Sequence, residues 1–216
     1  MNPIMPKLPS YTSSENLAIL AHSKVLMGRR VRQISKHISA LIPYSVASVL
    51  DVGAGTGEIA LAVNQYRPKL DITGVDVYIR PQTFIPVQKY DGVKLPFEEG
   101  TFDAVMTVDV LHHCPDHVAI LRECARVSKR WIIIKDHVSN TPWDKAKLCF
   151  MDWVGNRVHG VMLPYHYLSQ KDWKEAFAKI DVIEKNHVHQ LELYPQPLEA
   201  LFGGSLHCLY LLKKRE

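Results

Sequence analysis

Residues 49–60 read VLDVGAGTGEIA, and this stretch decides the fold. Apolar residues lead into Asp51, glycines follow at positions 53, 55 and 57, and an amphipathic segment comes next. A second apolar stretch then ends in Asp76. The order of strand, glycine-rich loop, helix, strand and acid is typical of a nucleotide-binding crevice at the carboxyl ends of parallel strands. The glycine spacing i, i+2, i+4 differs from the i, i+2, i+5 of dinucleotide-binding loops, so it favours another adenosyl ligand over NAD.

Length and composition are typical of a globular enzyme with one domain. The chain has 216 residues, of which 47% are hydrophobic and 22% charged. Its net charge of +4 is too small to favour a nucleic-acid partner. The N-terminus lacks the pattern of a secretory signal and the longest apolar runs have the length of strands, so we expect a cytoplasmic protein without integral membrane association. The four cysteines are scattered without a CxxC pair, which predicts free thiols and no metal site.

Alternating strand and helix patterns predict a mostly parallel sheet with helices on both faces. The predicted strands are Val46–Asp51, Leu70–Asp76, Ile85–Lys89, Phe102–Val108, Trp131–Lys135, Asp181–His189 and Leu206–Lys213. The predicted helices are Gly57–Tyr66, Asp116–Val127 and one capped by Ser169. Only an irregular link joins the last two strands, so they are expected to form a hairpin. The fold class is therefore α/β, a Rossmann-like, seven-stranded, mostly parallel sheet with an antiparallel C-terminal strand, in three α/β/α layers.

Residues 1–43 are expected to form a helical cap or lid in front of the domain at residues 44–216. The sequence from Thr12 to Glu15 has the spacing of a capping box, which predicts the start of a first helix. A second helix is expected to end before Pro43. Within the domain, residues 138–168 form the predicted acceptor-site insertion.

Four segments carry a family resemblance when they are taken in order. They are VLDVGAGTGEIA at 49–60, GVDV at 74–77, YDGVKLPFEEGTFDAVMTVDVLHHC at 90–114 and LRECARVSKRWIIIKDH at 121–137. They resemble the motifs of class I S-adenosylmethionine-dependent methyltransferases, in particular the type 11 small-methyltransferase group. The resemblance implies S-adenosyl-L-methionine as the cofactor and S-adenosyl-L-homocysteine as the product, and it says little about the methyl acceptor.

The same resemblance implies which residues contact the cofactor. Asp76 is placed to bind the ribose hydroxyls, and Asp91 resembles the acid that contacts adenine. Val77 would pack against the purine, while Asp51 and Asp109 would complement the ammonium and sulfonium charges. The full set is Asp51, Gly53, Ala54, Gly55, Gly57, Asp76, Val77, Asp91, Gly92, Val108, Asp109 and His113. Asp91 is also typical of an ordinary Asp-Gly turn, and that interpretation stays open.

The acceptor side of the site is expected in the insertion at residues 138–168. Its many aromatic and methionine side chains favour a sizeable apolar or planar acceptor, although they also suit the core of a helical cap. Residues 152–156 are predicted to form a turn at the pocket. The candidate general bases are His113, His137 and His166, and a mechanism without a base also stays open. His112 is predicted to point away from the site and pack.

The sequence therefore predicts a methyltransferase that acts on a small-molecule acceptor, aromatic or apolar, at an oxygen or carbon atom. One alternative is a lipid or quinone methyltransferase at the membrane surface, with Arg29, Arg30, Arg32 and Lys36 facing anionic headgroups. Another is a protein that binds S-adenosylmethionine without methylating, either as a different catalyst or as an inactive partner subunit. Residues 108–111 lack the tetrapeptide of amino-methylating enzymes that act on flipped bases. A homodimer is compatible with the sequence.

Overall fold

A computed structural model describes residues 28–156 and 165–215, with the side chains of all of these but 154–156. The strands are β1 (Ser48–Val52), β2 (Asp71–Asp76), β3 (Val87–Lys89), β4 (Phe102–Val108), β5 (Ser128–His137), β6 (Val182–Val188) and β7 (His207–Lys214). The helices are α1 (helical over 28–41), α2 (Glu58–Tyr66), α3 (His117–Val127), α4 (Pro142–Asn156), α5 (Gln170–Ala178) and α6 (Leu198–Phe202). The capping box expected at Thr12 lies outside the described residues.

The seven strands form one sheet in the order β3-β2-β1-β4-β5-β7-β6. Strands β1 to β5 pair in parallel, and β7 is antiparallel to both β5 and β6. This confirms the predicted sheet with its antiparallel C-terminal strand. The link between β6 and β7 was expected to be irregular, and it contains the short helix α6 instead.

Two strands differ in length from their prediction for physical reasons. β3 pairs only from Val87, because Pro86 has no N–H to donate to a neighbouring strand. β5 continues to His137, because β7 pairs along its second edge as far as the register of His137 with His207. The extension matters for function, since it brings three consecutive polar residues, Lys135 to His137, to the carboxyl end of the sheet.

Helices cover both faces of the sheet and complete the three layers. One hydrophobic cluster joins the sheet to α3 and α5, for example through Leu121 and Trp173. The second cluster includes Ile34 and Ile38 of α1. Residues four positions apart lie on the same side of a helix, so these isoleucines form a stripe that covers the sheet. Each fully buried side chain of this kind contributes about 1.5–3 kcal/mol to folding, and α1 therefore packs as part of the main core.

Helix α4 replaces a turn that the sequence was expected to form. Residues 152–156 belong to this helix, so the predicted turn is wrong. Leu148 and Asp152 are both buried and are four residues apart, which places them on the inner side of α4. The helix thereby directs a carboxylate towards the end of the sheet. Among the described residues, no helix is both long and apolar enough to cross a membrane.

Candidate active site

The glycine loop, residues 53–57, follows β1 and packs against the segment after β4. Gly53, Gly55 and Gly57 all have positive φ angles, of 76°, 57° and 76°. A Cβ atom on Gly53 would lie only 2.4 Å from Cγ2 of Val110, so the loop packs directly against the segment after β4. A Cβ atom on Gly55 would meet no atom within 4 Å. Gly55 therefore faces open space, which suits the close approach of a ligand to the backbone.

Asp76 at the end of β2 is held beside this loop by backbone amides. The N–H of Gly55 donates to Asp76 Oδ2 at 2.8 Å, and the N–H of Tyr78 donates to Oδ1 at 2.9 Å. Each carboxylate oxygen can accept further hydrogen bonds. The carboxylate is thus positioned for a diol such as a ribose, and its contact with the cofactor stays a prediction.

Asp51 is a buried acid at the end of β1. Burial raises its pKa to about 7, with a further contribution from the nearby charge of Asp76. A cationic ligand such as the ammonium group of S-adenosylmethionine would favour the ionised form of this carboxyl group. Cofactor binding at Asp51 stays a prediction, and it would be coupled to the loss of this proton.

We expect the contribution of Asp51 to the stability of the ligand-free protein to fall as the pH rises from about 4 to about 7. An unfolded aspartic acid titrates near 3.9, so over this range the folded state retains a proton that the unfolded state has lost. The contribution of Asp51 to the free energy of unfolding should decrease by up to about 4 kcal/mol. Urea unfolding of the wild type and of Asp51→Asn over this pH range measures the effect. The variant should lose that part of the slope, and equal slopes in both proteins would contradict the assignment.

The predicted adenine side of the crevice contains an exposed turn. The N–H groups of Val93 and Lys94 both donate to Asp91 Oδ1 at 2.8 Å, and these bonds hold the pKa of Asp91 below its usual value. Asp91 therefore closes a turn, and any bond to adenine would use its other oxygen. Val77 is 52% exposed and Val93 is 68% exposed. Gly92 lies close to Val77, as a Cβ atom there would come within 3.1 Å of it. Two uncovered valines beside the turn suit a planar ring.

Asp109 follows β4 and lies between two cations. Its φ angle of 55° is unusual for a residue other than glycine. Arg30 of α1 and the fully buried Lys135 of β5 both donate to its carboxylate. Burial opposes ionisation of Asp109, but the two cations outweigh it and hold the pKa well below its usual range. The charge of Asp109 is thus already balanced by two cations of the protein. The sequence predicted instead that this charge would complement the cofactor.

A histidine–aspartate cluster, formed by His112, His113, His137, Asp136 and Asp152, lies at the ends of β4 and β5. The buried Asp136 carboxylate is its centre. Nδ1 of His112 lies 2.6 Å from Asp136 Oδ1, and the N–H of His137 donates to the same oxygen at 2.7 Å. The other oxygen accepts the N–H of Leu111 at 2.9 Å. These contacts fix the 3₁₀ turn Leu111–His113 against β5. His112 is buried, as predicted, but its ring is directed at Asp136 within the cluster and not away from it.

Asp152 reaches the same cluster from α4. Its Oδ2 atom lies 3.6 Å from Nε2 of His112, and the hydroxyl of Tyr167 donates to it at 2.5 Å. The ring of His113 lies beside that of His112, with centroids 4.0 Å apart. Nδ1 of His113 and Nδ1 of His137 are buried without a hydrogen-bond partner among the described residues. The cluster thus has free nitrogen atoms in its interior.

The imidazole rings of the cluster differ in protonation. Burial disfavours the charged form of His112, but the Asp136 carboxylate outweighs it and raises the pKa above its usual value. Burial lowers the pKa of His137, and burial together with the charge of His112 lowers the pKa of His113. Near neutral pH, His113 and His137 are therefore neutral and able to accept a proton.

Besides the exposed turn with Val77, Asp91 and Gly92, the predicted site residues fall into three groups, and His166 lies outside them. The glycine loop, with Ala54, joins Asp51 and Asp76 at the ends of β1 and β2, since the N–H of Ala54 donates to the carbonyl of Val75 at the end of β2. Val108 ends β4 next to Asp109, and both pair with Lys135 of β5. His113 and His137 meet in the histidine–aspartate cluster, whereas the exposed His166 lies near His117 instead.

Several residues of the site were missed by sequence reasoning. They are Arg30, His112, Lys135, Asp136, Asp152 and Tyr167. The run from Lys135 to His137 directly after three isoleucines was a usable signal, since charged residues at the end of a buried strand are uncommon. Asp152 was expected only as part of a turn at the pocket, and the sequence around it did not indicate a role for its carboxylate.

Comparisons with known proteins agree with this fold. Residues 50–131 match the family model of a methyltransferase domain. The chain is 28% identical over 148 residues to a demethylmenaquinone methyltransferase of Thermotoga maritima, which covers 61% of this chain and 65% of that protein. It is 32% identical over 108 residues to a ubiquinone biosynthesis O-methyltransferase of Xanthomonas oryzae pv. oryzae, which covers 43% of each. The aligned part is thus less than two thirds of the length of either relative.

A solved structure with the same fold comes from Thermotoga maritima. It is a methyltransferase dependent on S-adenosylmethionine, described as a possible histamine N-methyltransferase, and it superposes with a TM-score of 0.66 at 16% identity. The superposition covers 92% of this chain and 96% of that one. The chain thus carries a methyltransferase domain, and its fold is that of the class I S-adenosylmethionine-dependent methyltransferases. S-adenosylmethionine is the cofactor that this domain implies.

Proposed function

We propose that this protein transfers a methyl group from S-adenosylmethionine to an oxygen atom of a small acceptor. The observation that carries the proposal is the position of the histidine–aspartate cluster directly beside the glycine loop. Val110 lies between them, since its side chain packs on Gly53 and the 3₁₀ turn with His112 follows it. A cofactor in the loop would thus present its reactive end to a buried group of proton acceptors.

When bound, S-adenosylmethionine supplies an electrophilic methyl group on its sulfonium. The glycine loop and Asp76 would hold the cofactor, and Asp51 would balance its positive charge. Holding both reactants in line supplies much of the rate acceleration in such a displacement. The surrounding buried residues would exclude water from the reacting atoms.

His137 is the general base that we propose for the acceptor. Its Nδ1 atom has no hydrogen-bond partner among the described residues, and it lies 3.4 Å from Asp136 Oδ1 and 3.7 Å from Asp109 Oδ1. A proton taken from the acceptor hydroxyl would therefore sit between two carboxylates, which favour the imidazolium. The acceptor oxygen then forms its bond to the methyl carbon as the bond from that carbon to sulfur breaks. His113 is the second candidate base, and His166 is not part of this proposal because it is exposed and lies near His117.

A quinone-type acceptor at a membrane surface is the second candidate, and α4 is the feature that favours it. The helix exposes Trp143 by 77%, Phe150 by 54% and Trp153 by 48%. Aromatic side chains of this kind suit the boundary between membrane and water. The names of the two curated relatives point the same way. The basic residues fit less well than expected, because Arg29 donates to the carbonyl of Glu192 and Arg30 to Asp109.

Product analysis with a panel of acceptors tests this proposal. The protein would be incubated with labelled S-adenosylmethionine and either soluble phenols or quinols in anionic vesicles. We expect S-adenosylhomocysteine and methylated product in equal amounts with at least one acceptor. A preference for the vesicle-bound quinols would favour the second candidate. Conversion of an acceptor without formation of S-adenosylhomocysteine would contradict methyl transfer and support a non-methylating catalyst.

A further inference from the structure

We propose that His112, His113 and Asp152 form a binding site for one divalent transition-metal ion, of the Zn²⁺ or Fe²⁺ type. The spacing of the cysteines predicted no metal site, and these three residues are not connected by any sequence pattern. One ligand atom from each of them can be chosen so that all three atoms lie within 4.8 Å of one another. Two imidazoles and one carboxylate are a ligand set typical of these ions.

The distance between His112 and Asp152 fits a shared ion better than a direct bond. Nε2 of His112 and Oδ2 of Asp152 are 3.6 Å apart. That separation is too long for a hydrogen bond. Two ligands on one ion, with bonds of about 2.0–2.2 Å, are roughly 3–3.5 Å apart. The pair is therefore already at about the spacing that a common metal ion requires.

Residues around these ligands hold them as the outer residues of a metal site do. Asp136 contacts Nδ1 of His112 at 2.6 Å, which fixes the proton on that nitrogen and directs the lone pair of Nε2 towards Asp152. Tyr167 holds the Asp152 carboxylate by its hydroxyl. Both His112 and Asp152 are buried. Such supporting bonds orient the ligands of a metal before the ion binds.

His113 supplies the third ligand and leaves the site open on one side. Its Nδ1 atom is buried without a hydrogen-bond partner among the described residues, which is costly for a polar group unless a ligand satisfies it. Three protein ligands leave a coordination position free, as in catalytic metal sites. An ion there would coordinate the acceptor oxygen and make its proton easier to remove. This role rests on the proposed function, whereas binding of the ion does not.

The competing explanation is an imidazolium on His112 held between two carboxylates. In that state Nε2 of His112 would carry an N–H that lies 3.6 Å from Asp152 Oδ2, too far for a hydrogen bond. It would also leave His113 without a partner. A metal ion in place of that proton satisfies all three side chains together.

Titration of the full chain, free of any purification tag and stripped with a chelator, tests the proposal. Co²⁺ is the probe, because its visible absorption reports the ligand geometry, and Zn²⁺ binding is followed by calorimetry. We expect one equivalent of Co²⁺ to bind to the wild type with a spectrum of low coordination number. Asp152→Asn should weaken binding at least tenfold, and Asp136→Asn about 10–100-fold.

The control is His189→Gln, which removes an exposed histidine outside the cluster and should leave the affinity unchanged. Calorimetry with S-adenosylmethionine shows whether each variant is folded and separates this test from that of methyl transfer. Failure of the wild type to bind Co²⁺ or Zn²⁺ would overturn the proposal. Equal affinities in the wild type and Asp152→Asn, or a loss of affinity in His189→Gln, would place any binding elsewhere and would also overturn it.

Discussion

Replacing Asp76 by alanine is expected to weaken the binding of S-adenosylmethionine by at least about a hundredfold. A hydrogen bond to a charged group is worth about 1.5–3 kcal/mol, and a ribose offers two hydroxyls to this carboxylate. Each 1.4 kcal/mol corresponds to about tenfold in affinity, so the loss of both bonds amounts to roughly 10²–10⁴-fold. The variant also removes the acceptor for the N–H of Gly55, which loosens the glycine loop.

Calorimetric titration with S-adenosylmethionine and S-adenosylhomocysteine measures this effect. Asp71→Ala is the matched control, because Asp71 is an exposed aspartate at the other end of the same strand β2. We expect Asp71→Ala to bind both ligands with the affinity of the wild type. If Asp76→Ala bound either ligand as tightly as the wild type, the crevice at the end of β2 would not hold the ribose.

Replacing Asp136 by asparagine is expected to lower turnover by about 10²–10⁴-fold while cofactor affinity changes little. The carboxylate orients His112, accepts the N–H groups of Leu111 and His137, and supports a positive charge in the cluster. An amide keeps the size of the side chain but removes its charge and one acceptor atom. Asp136 lies on β5, three strands away in the sheet from β2 with Asp76, so the binding of S-adenosylmethionine should be retained.

Initial rates of methyl transfer and cofactor calorimetry on the same preparation separate catalysis from folding. Asp103→Asn is the matched control, because Asp103 accepts the N–H groups of Ala47 and Ser48 at the start of β4, far from the cluster. We expect it to lose about 1–3 kcal/mol of stability and little turnover. A turnover of Asp136→Asn equal to that of Asp103→Asn would contradict a role for the cluster in the reaction.

Much of the fold was predictable because its signals are local. The alternation of apolar strands with amphipathic helices set the parallel sheet, and the capping box at Ser169 started α5 where the sequence predicted it. Element ends were less predictable, since they depend on neighbours. β5 extends to His137 only because β7 pairs along it, and α4 continues through Asp152, where the sequence resembles a turn.

The candidate site divides in the same way. The glycine loop and Asp76 were predicted because backbone conformation and strand order determine them, and both are encoded within residues 49–76. The contact of Arg30 with Asp109 was not predicted, because a basic residue on a helix is typical of a solvated surface. Only the packing of α1 on the sheet brings Arg30 to Asp109.

By itself, the sequence determined the class of fold, the glycine loop and the acid at the end of β2. Turn chemistry and hydrophobic periodicity act over short stretches of chain, so one sequence suffices to interpret them. The tertiary structure alone decided the histidine–aspartate cluster. Its members come from the turn after β4, the end of β5 and helix α4, and they meet because parallel strands end at the same edge of the sheet. Contacts between residues so far apart in the chain depend on packing, which no local pattern records.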